Sequence, residues 1–281
     1  MKKLTLAIAA IAALLGTPAL AADMDVKSPA PPPPPAWSWT GFYVGLQGGA
    51  GWGTTTFNAT SSNICLTAAP SVCAFPPPGL PGGNSAISSY NINGWHGGGT
   101  AGFNWQNGPV VFGVEGDISG ANINGNGDCT DAMPGNNLAA PPATLTGCRT
   151  SMTWFGTLTG RLGITVDHVL IYVKGGGADA HFNYTATSTS PNIVPIAAPP
   201  AITFGENRLG GTAGFGVEYA FWNNWSAKLE YDYMDFGTKS FTFVGTPCDG
   251  TPVLTCIDNE SVRQTVQVVR AGVNYRFNNW Q

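Results

Sequence analysis

The feature that most constrains the fold is a set of segments in which large apolar residues alternate with small or polar ones. Residues 42–47 read FYVGLQ, with a large apolar residue at every second position from Phe42 onward. This period of two predicts a β-strand with one apolar face. Five further segments behave in the same way and lie near residues 110–118, 154–164, 209–221, 225–233 and 269–277. Two segments alternate less cleanly and lie near residues 94–106 and 169–184.

Short and long connections between these segments alternate strictly. Tight hairpin signals stand at Asn107-Gly108, Asp167-His168 and Asn223-Asn224. The other four connections, over residues 54–90, 120–150, 186–203 and 237–262, are long, polar and rich in Pro and Gly. The order predicts an all-β fold, an eight-stranded antiparallel transmembrane up-and-down β-barrel with short periplasmic turns and four long extracellular loops.

The composition favours a wall that faces lipid. Only 10% of the residues are charged, against about 25% in ordinary soluble domains. A sheet edge in lipid has no water to pair with, so the first strand must pair with the last. A secreted β-sandwich or a lipocalin-like barrel would show the same alternation. In such a soluble fold the apolar residues would point inward and the exposed residues would have to be soluble, whereas here the second set is mostly Gly, Thr and a few charges. The net charge of -4 and the lack of a basic patch argue against a nucleic-acid partner.

The N-terminal segment predicts export. Lys2 and Lys3 precede an uncharged run over residues 4–15, and small residues lead up to Ala21. This pattern is typical of a cleaved signal peptide over residues 1–21, and the run is shorter than the ~18 residues of a transmembrane anchor. Residues 22–38, with five consecutive prolines, predict a periplasmic spacer of polyproline type. Residues 39–281 form the predicted barrel, located in the bacterial outer membrane.

The six cysteines fall into three sequence-local pairs, each inside a predicted long loop. Disulfides are expected beyond the inner membrane because that space is oxidising. Of the fifteen formal connectivities, the local one closes the shortest loops and costs the least chain entropy. A zinc site is disfavoured because no CxxC pair occurs and the histidines lie elsewhere. The predicted disulfides are Cys65–Cys73, Cys129–Cys148 and Cys248–Cys256.

The inward file of the predicted barrel carries nine charged residues. An eight-stranded barrel is about filled by its own side chains, so a nearly balanced set predicts a lumen plugged by salt bridges, with a conducting lumen as the alternative. Segment 169–184 is apolar on both faces at first, which leaves the side of Lys174 open. Its Gly175-Gly176-Gly177 run offers a site for a bulge that switches the faces. The predicted lumen charges are Glu115, Asp117, Glu218, Glu230 and Asp232 against Arg161, Lys228, Arg270 and Arg276.

Aromatic residues mark both predicted rims, as expected of girdles at the lipid headgroups. The periplasmic girdle is predicted to contain Trp37, Trp39, Phe42, Trp105, Phe221, Trp222, Trp225, Phe277 and Trp280. The outer girdle is predicted to contain Trp52, Trp95, Trp154, Tyr184 and Phe236.

Two motifs carry a family resemblance. The run Trp39-Thr40-Gly41-Phe42-Tyr43-Val44-Gly45 follows the predicted signal and spacer, and with it the chain resembles the alphaproteobacterial outer-membrane immunogenic proteins, which are small OmpA/OmpX-like barrels of the porin family. The segment from Arg270 to Phe277 resembles the C-terminal signal read by the barrel-assembly machinery, with Arg270, Gly272, Tyr275 and Phe277 as the matching positions. Residues 278–281 follow the usual terminal Phe, which departs from the pattern.

The resemblance implies a surface-exposed structural or antigenic protein in contact with outer-membrane lipid and lipopolysaccharide. Some relatives are said to bind haem, but the candidates His96, His168 and His181 are lone histidines, which are more often packed or solvated than ligating. Asp167-His168 falls at a periplasmic turn, and no serine is placed beside Asp179 and His181. We therefore expect no catalytic residue, metal or cofactor.

The expected role is structural: a surface barrel displaying disulfide-stapled loops for envelope integrity, adhesion or antigenic interaction with a host or envelope partner. Three alternatives stay open. They are a small diffusion porin, a surface barrel that binds haem or another ligand, and a soluble secreted binding domain.

Overall fold

The computed structural model describes residues 37–66, 69–74, 87–127, 145–188, 201–245 and 254–277. Within these residues no helix has the length and hydropathy needed to cross a membrane. The predicted signal peptide, residues 22–36 of the spacer, Cys129, Cys248 and Trp280 lie outside the described residues. The described strands are β1 (Gly41–Leu66), β2 (Ala69–Ala74), β3 (Ile87–Asn107), β4 (Val110–Gly127), β5 (Leu145–Val166), β6 (Val169–Ser188), β7 (Ala201–Trp222), β8 (Trp225–Gly245) and β9 (Leu254–Phe277).

Eight long strands form a closed antiparallel ring. Each pairs with its neighbour in chain order, and β1 pairs with β9 along its whole length. Strand β2 is short and pairs only with the outer end of β1. Closure leaves no unpaired edge in the lipid, which is the condition for a sheet to span a membrane. The predicted eight-stranded up-and-down barrel is confirmed.

Tight turns join the strands at the periplasmic rim. Gly108, Asp167 and Asn223 have φ values of +58°, +51° and +32°, the left-handed conformation that two-residue hairpins require. The first turn is centred on Gly108 and Pro109, one position later than predicted. Asn107 instead ends β3 and pairs with Val110.

The strands are longer than the sequence predicts. Apart from β2, they span from 18 residues in β4 to 26 in β1, whereas about 9–11 residues cross a bilayer. Residues 54–66 and 87–90 belong to β1 and β3 instead of to a loop. The predicted extents of the outer loops are therefore wrong, because the wall of the barrel continues above the membrane.

The polarity of the two faces reverses along the barrel. In the lower part of β6, Val173 points outward and is 57% exposed, while Lys174 points inward and is buried. Higher on the same strand, Asn183 faces outward and Tyr184 faces inward with 2% exposure. Lipid surrounds the lower wall and water surrounds the upper wall, so each level places its apolar file on the side that avoids water.

This reversal corrects the prediction for the three consecutive glycines of β6. Gly175, Gly176 and Gly177 pair in unbroken register with both neighbouring strands. The expected bulge is therefore absent at these residues, and the parity of the strand is constant. The change from an apolar to a polar outer file reflects the surroundings of the strand and not its backbone.

Several predicted girdle residues face outward at the expected rims. The periplasmic set that is exposed comprises Phe42, Trp105, Phe221, Trp222, Trp225 and Phe277, and the outer set comprises Trp52 and Trp95. Trp154 is half-buried. The predictions for Trp39, Tyr184 and Phe236 are wrong, because these side chains are buried in the interior, and Trp37 packs on Trp39.

The interior holds two apolar clusters. The periplasmic aromatic cluster consists of Trp39, Val111, Leu170, Tyr172 and Ala220, with Trp37 packed against it. The outer apolar cluster lies in the upper barrel, and charged side chains lie between the two. It consists of Phe57, Tyr90, Ile92, Ile123, Cys148, Met152, Phe155, Ala178, Ala180, Phe182, Tyr184, Met234, Phe236, Val262, Val266 and Val268.

Candidate functional site in the barrel interior

The structure places all nine sequence-predicted lumen charges inside the barrel, each buried. Lys174, whose side the sequence left open, joins them. The set then holds five acidic and five basic side chains. We call it the charged lumen network: Glu115, Asp117, Glu218, Glu230, Asp232, Arg161, Lys174, Lys228, Arg270 and Arg276.

Glu115 of β4 is the centre of this network. Its Oε1 accepts a hydrogen bond from Lys174 Nζ at 2.9 Å. Its Oε2 lies 3.2 Å from Lys228 Nζ and 3.3 Å from Arg161 Nη1. The hydroxyl of Tyr43 donates to the same oxygen at 2.9 Å. Four strands besides β4 thus converge on one carboxylate.

A second group surrounds Arg270 of β9. Its Nη1 lies 3.0 Å from Asp117 Oδ1, and its Nε donates to Asp232 Oδ2 at 3.0 Å. Glu230 Oε2 lies 3.5 Å from the same Nε and 3.1 Å from Lys228 Nζ. Lys228, Glu230 and Asp232 project inward together because side chains two apart on a strand share a face. Glu230 is also the register partner of Arg270.

A third group lies nearer the periplasm around Glu218 of β7. Its Oε2 lies 3.0 Å from Arg161 Nη2. Its Oε1 accepts hydrogen bonds from the Ser226 hydroxyl at 2.5 Å and from Asn274 Nδ2 at 2.9 Å. Arg276 Nη2 lies 3.8 Å from that oxygen. Arg161 therefore links this group to Glu115.

The N-terminal residues of the barrel lie across its periplasmic mouth. Trp39 donates from its backbone N–H to Gln106 Oε1 at 2.7 Å and from Nε1 to Thr165 Oγ1 at 2.9 Å. The guanidinium carbon of Arg276 lies 4.5 Å from the centroid of the Trp39 ring and 5.6 Å from that of Trp37. Cation–π contacts of this kind are worth up to about 2 kcal/mol when desolvated.

Aromatic rings fill the upper interior. Phe182 packs edge-on against Phe236 at 5.3 Å, and Phe57 packs edge-on against Tyr184 at 6.2 Å between ring centroids. Arg208 lies among them, where it donates to the Tyr184 hydroxyl at 3.1 Å and to the Val262 carbonyl at 2.8 Å. The interior of the upper wall is thus packed like the core of a soluble protein.

Sequence reasoning missed several interior partners. Tyr43 and Tyr172 occupy inward positions, and Tyr172 donates to Glu230 Oε1 at 2.5 Å. The Arg161 guanidinium lies 3.8 Å over the Tyr172 ring. Alternation along β6 places Tyr172 on the same face as Lys174, and alternation along β1 places Tyr43 on the same face as Gln47. The sequence therefore contained the signal for both tyrosines. It was overlooked because bulky aromatic residues were assigned to the lipid face or its rims.

The inner wall of β1 and β3 carries neutral polar residues. Gln47, His96 and Asn104 are buried there, and the side-chain nitrogen and oxygen atoms of Gln47 and Asn104 have no hydrogen-bond partner in the described part of the chain. None of the ten charges of the network comes from these two strands. The network therefore spans β4 to β9 and leaves the β1–β3 side neutral.

The predicted cysteines lie away from the network. Cys148 is buried at the outer end and has no free thiol. Cys65 and Cys73 are register partners between β1 and β2, and Cys256 pairs with Ile64. The positions of the assembly motif lie on both faces of β9. Gly272 shares the inward parity of the buried Arg270 and pairs with Gln47 of β1. Phe277 is exposed on the outer wall, and its ring lies 5.2 Å from that of Tyr275.

The remaining histidines are not close to one another. His168 lies at a periplasmic turn beside Trp37, with 6.1 Å between their ring centroids. His181 lies on the outward face of β6, where its Nδ1 is hydrogen-bonded to Asn207 Oδ1 at 2.6 Å. His96 is inside the barrel, 5.2 Å from the Phe155 ring. The three candidates for a haem ligand are thus placed on separate faces.

A closed ring of eight antiparallel strands with an apolar outer band and a charged interior is an integral β-barrel protein of the bacterial outer membrane. The profile of the family described as "Outer membrane protein beta-barrel domain" matches residues 7–277. The chain belongs to this family.

Immunogenic outer-membrane proteins are among its relatives. The 31 kDa outer-membrane immunogenic protein of Brucella melitensis is 31% identical over 279 residues, which cover 96% of this chain and 98% of the relative. The 25 kDa outer-membrane immunogenic protein of Brucella abortus is 24% identical and covers 69% of this chain and 70% of the relative. The crystal structure of OprG from Pseudomonas aeruginosa superposes with a TM-score of 0.38 at 11% identity, covering 85% of this chain and 97% of that one. The predicted family and location are confirmed.

Proposed function

We propose that the protein is a closed surface barrel that stabilises the envelope and displays its outer loops, and that its lumen does not conduct. The observation that carries the proposal is the charge balance of the charged lumen network. Its five acids and five bases are matched, and the further buried base Arg208 lies with its Nε 3.8 Å from Glu206 Oε1, so no excess of one sign is left to attract permeant ions. The apolar cluster above it and the aromatic cluster below it support the same conclusion.

The loops are the remaining candidate for interaction. They connect strand ends at the outer end of the barrel, such as Gly127 of β4 and Leu145 of β5. We propose that Cys65–Cys73, Cys129–Cys148 and Cys248–Cys256 staple three of them, since crosslinks limit loop entropy and proteolysis. The direct pairing of Cys65 with Cys73 across β1 and β2, and the bound state of Cys148, support this pattern.

The proposed partners follow from the same surfaces. The exposed apolar band contacts outer-membrane lipid and lipopolysaccharide, and a host or envelope component binds the loops. The barrel-assembly machinery reads Arg270, Gly272, Tyr275 and Phe277 at the end of β9. Nucleic acid is not among the partners. The immunogenic character of the Brucella relatives supports exposure of the loops at the cell surface.

We propose no enzymatic activity. Asp167 and His168 occupy a hairpin at the periplasmic rim. Asp179 and His181 share the outward face of β6, where the His181 ring is engaged by Asn207. Neither pair is arranged with a nucleophile in the way that acyl transfer requires.

Single-channel recording tests the closed lumen. The purified protein is refolded, its faster migration in an unheated gel confirms that the barrel has formed, and it is inserted into a planar bilayer. We expect a folded but electrically silent protein. Reproducible open-channel steps would overturn the proposal in favour of a small diffusion porin.

Epitope insertion tests the display of the loops. A short tag is placed within residues 128–144, and the control carries the same tag at the periplasmic turn beside Pro109. We expect antibody to label intact cells with the first variant and only permeabilised cells with the second. Labelling of permeabilised cells alone by both variants would contradict surface display.

A further inference from the structure

Three neutral side chains lie together in the buried inner wall of β1, β3 and β4. Gln47 on β1, His96 on β3 and Ser119 on β4 are 6%, 2% and 1% exposed. Both side-chain atoms of Gln47 and the hydroxyl of Ser119 lack a hydrogen-bond partner in the described part of the chain, and the His96 ring is within reach of one backbone partner, at Val269. An unsatisfied buried polar group costs about 1–3 kcal/mol.

The three side chains surround one glycine. Gly98 pairs with Gln47 on one side and with Ser119 on the other. His96 is the next inward residue along β3, two positions away. A Cβ at position 98 would clash with the Ile118 carbonyl oxygen and would lie 2.6 Å from Ser119 Cα and Oγ, so the backbone of β4 and the Ser119 hydroxyl both approach the glycine closely. Gly98 thus forms the floor of a cradle with polar walls.

The cradle is enclosed along the barrel axis. On the outer side, the His96 ring packs edge-on against Phe155 of the outer apolar cluster. On the periplasmic side lie Glu115, which is the register partner of Gly102 on β3, and Tyr43, whose hydroxyl donates a hydrogen bond to Glu115. Arg270 is the register partner of Gly49, which in turn pairs with His96. The site therefore adjoins the Arg270–Asp117 ion pair.

From this geometry we propose that the cradle is an internal water site. Buried polar groups that lack protein partners are satisfied by ordered water, and each such molecule makes about three hydrogen bonds. The unpaired atoms of Gln47, His96 and Ser119 suit about one or two water molecules on that basis. An ion suits the site less well, because the ten charges of the network are already matched and an added charge would be uncompensated.

The water site gives the lumen two unlike sides. The β4 to β9 side is held by direct ion pairs, and the β1–β3 side is held through water. Water beside Arg270 and Asp117 also reduces the cost of burying that ion pair, which is large in a dry interior. The water site is a proposal separate from the display function, and its test does not depend on whether the loops are displayed.

Water-to-protein NOE spectra of the refolded ¹⁵N-labelled protein in detergent micelles test the proposal. We expect cross-peaks between the water resonance and the side-chain amide of Gln47. Gln264 provides the matched control, since it is buried in the upper barrel and its Oε1 accepts a hydrogen bond from Thr55 at 2.8 Å. Its side-chain amide should show no such cross-peak.

The Gln47→Met variant, which keeps the volume of the side chain, identifies the amide resonance by its loss. Sequential assignment identifies it independently if the variant does not refold. Absence of the cross-peak at an assigned Gln47 overturns the proposal. Equal cross-peaks at Gln47 and Gln264 also overturn it, because water would then enter the whole lumen.

Discussion

Lys174 Nζ lies 2.9 Å from Glu115 Oε1, and both side chains are wholly buried in the lumen. The same ammonium lies 3.5 Å from Glu230 Oε2 and 3.7 Å from Asp232 Oδ1. Lys174 is therefore the base that brings the charges of the charged lumen network into balance. Loss of one partner of such a set leaves an opposite charge buried and uncompensated.

The Lys174→Met variant should lose about 3–5 kcal/mol of unfolding free energy, the usual cost of breaking a buried ion pair. Urea unfolding followed by tryptophan fluorescence measures the loss. Lys239→Met is the matched control, since Lys239 is 50% exposed and pairs with Glu206 at the outer rim. Its loss should stay within about 1 kcal/mol. Equal losses in the two variants would contradict the assigned role of Lys174.

Adding Glu115→Gln to Lys174→Met should cost less than the sum of the two single changes. The double variant removes one charge of each sign, so the interior is again balanced. A double-mutant cycle on the same unfolding curves gives the coupling, which is about 0.5–3 kcal/mol for residues in one network. Strict additivity would show that the two side chains do not interact energetically.

Trp39→Ala should destabilise the barrel by about 3–5 kcal/mol, since a large buried ring is lost. The variant also removes the contact with Arg276 and the hydrogen bond to Thr165. Trp39→Phe keeps a ring over Arg276 and should lose clearly less. Both are measured by the midpoint of urea unfolding, and a loss from Trp39→Phe as large as that from Trp39→Ala would disprove the importance of ring packing here.

Val173→Lys should cost about 2–4 kcal/mol, the penalty for a lysine that faces the middle of the bilayer. Asn207→Lys provides the comparison, because Asn207 faces outward on the upper, water-exposed wall. It should cost about 0–1 kcal/mol. Unfolding in lipid vesicles measures both. A large cost at position 207 would mean that the lipid band extends higher than the reversal of polarity indicates.

Peptide maps of the non-reduced protein should contain three crosslinked pairs, Cys65–Cys73, Cys129–Cys148 and Cys248–Cys256. Each pair should separate on reduction, which the mass of the released peptides shows. Cys148 gives the clearest case since it is buried and has no free thiol. Free thiols, or bridges between different loops, would contradict the stapled arrangement.

The sequence predicted the ring and the inward charges well because both depend on parity. A residue two positions from Glu115 must share its face, so the inward position of Glu115 predicts that Asp117 also points inward. Lys174 was undecided because Tyr172 and Val173 are both large and apolar, and composition cannot say which of two such files faces lipid. The hairpin signals then fixed the direction and order of the strands.

For Tyr184 and Trp39 the sequence pattern predicted the wrong side of the wall. Aromatic residues near a rim were assigned to the headgroups, which holds only where lipid surrounds the wall. Tyr184 lies above that level, where water is outside and the interior becomes the apolar side. Trp39 precedes the first strand, and its position depends on contacts with Gln106 and Thr165 that are distant in the chain.

The length of the strands sets the height at which the outer loops begin. The 22 residues of β7 exceed the requirement of a bilayer crossing, which leaves about ten residues per strand above it. At about 3.4 Å per residue and a tilt of about 40°, these raise the loop bases by about 25 Å. A barrel whose strands only crossed the bilayer would end at the lipid headgroups, whereas the strands of this one hold the bases of the loops about 25 Å above that level.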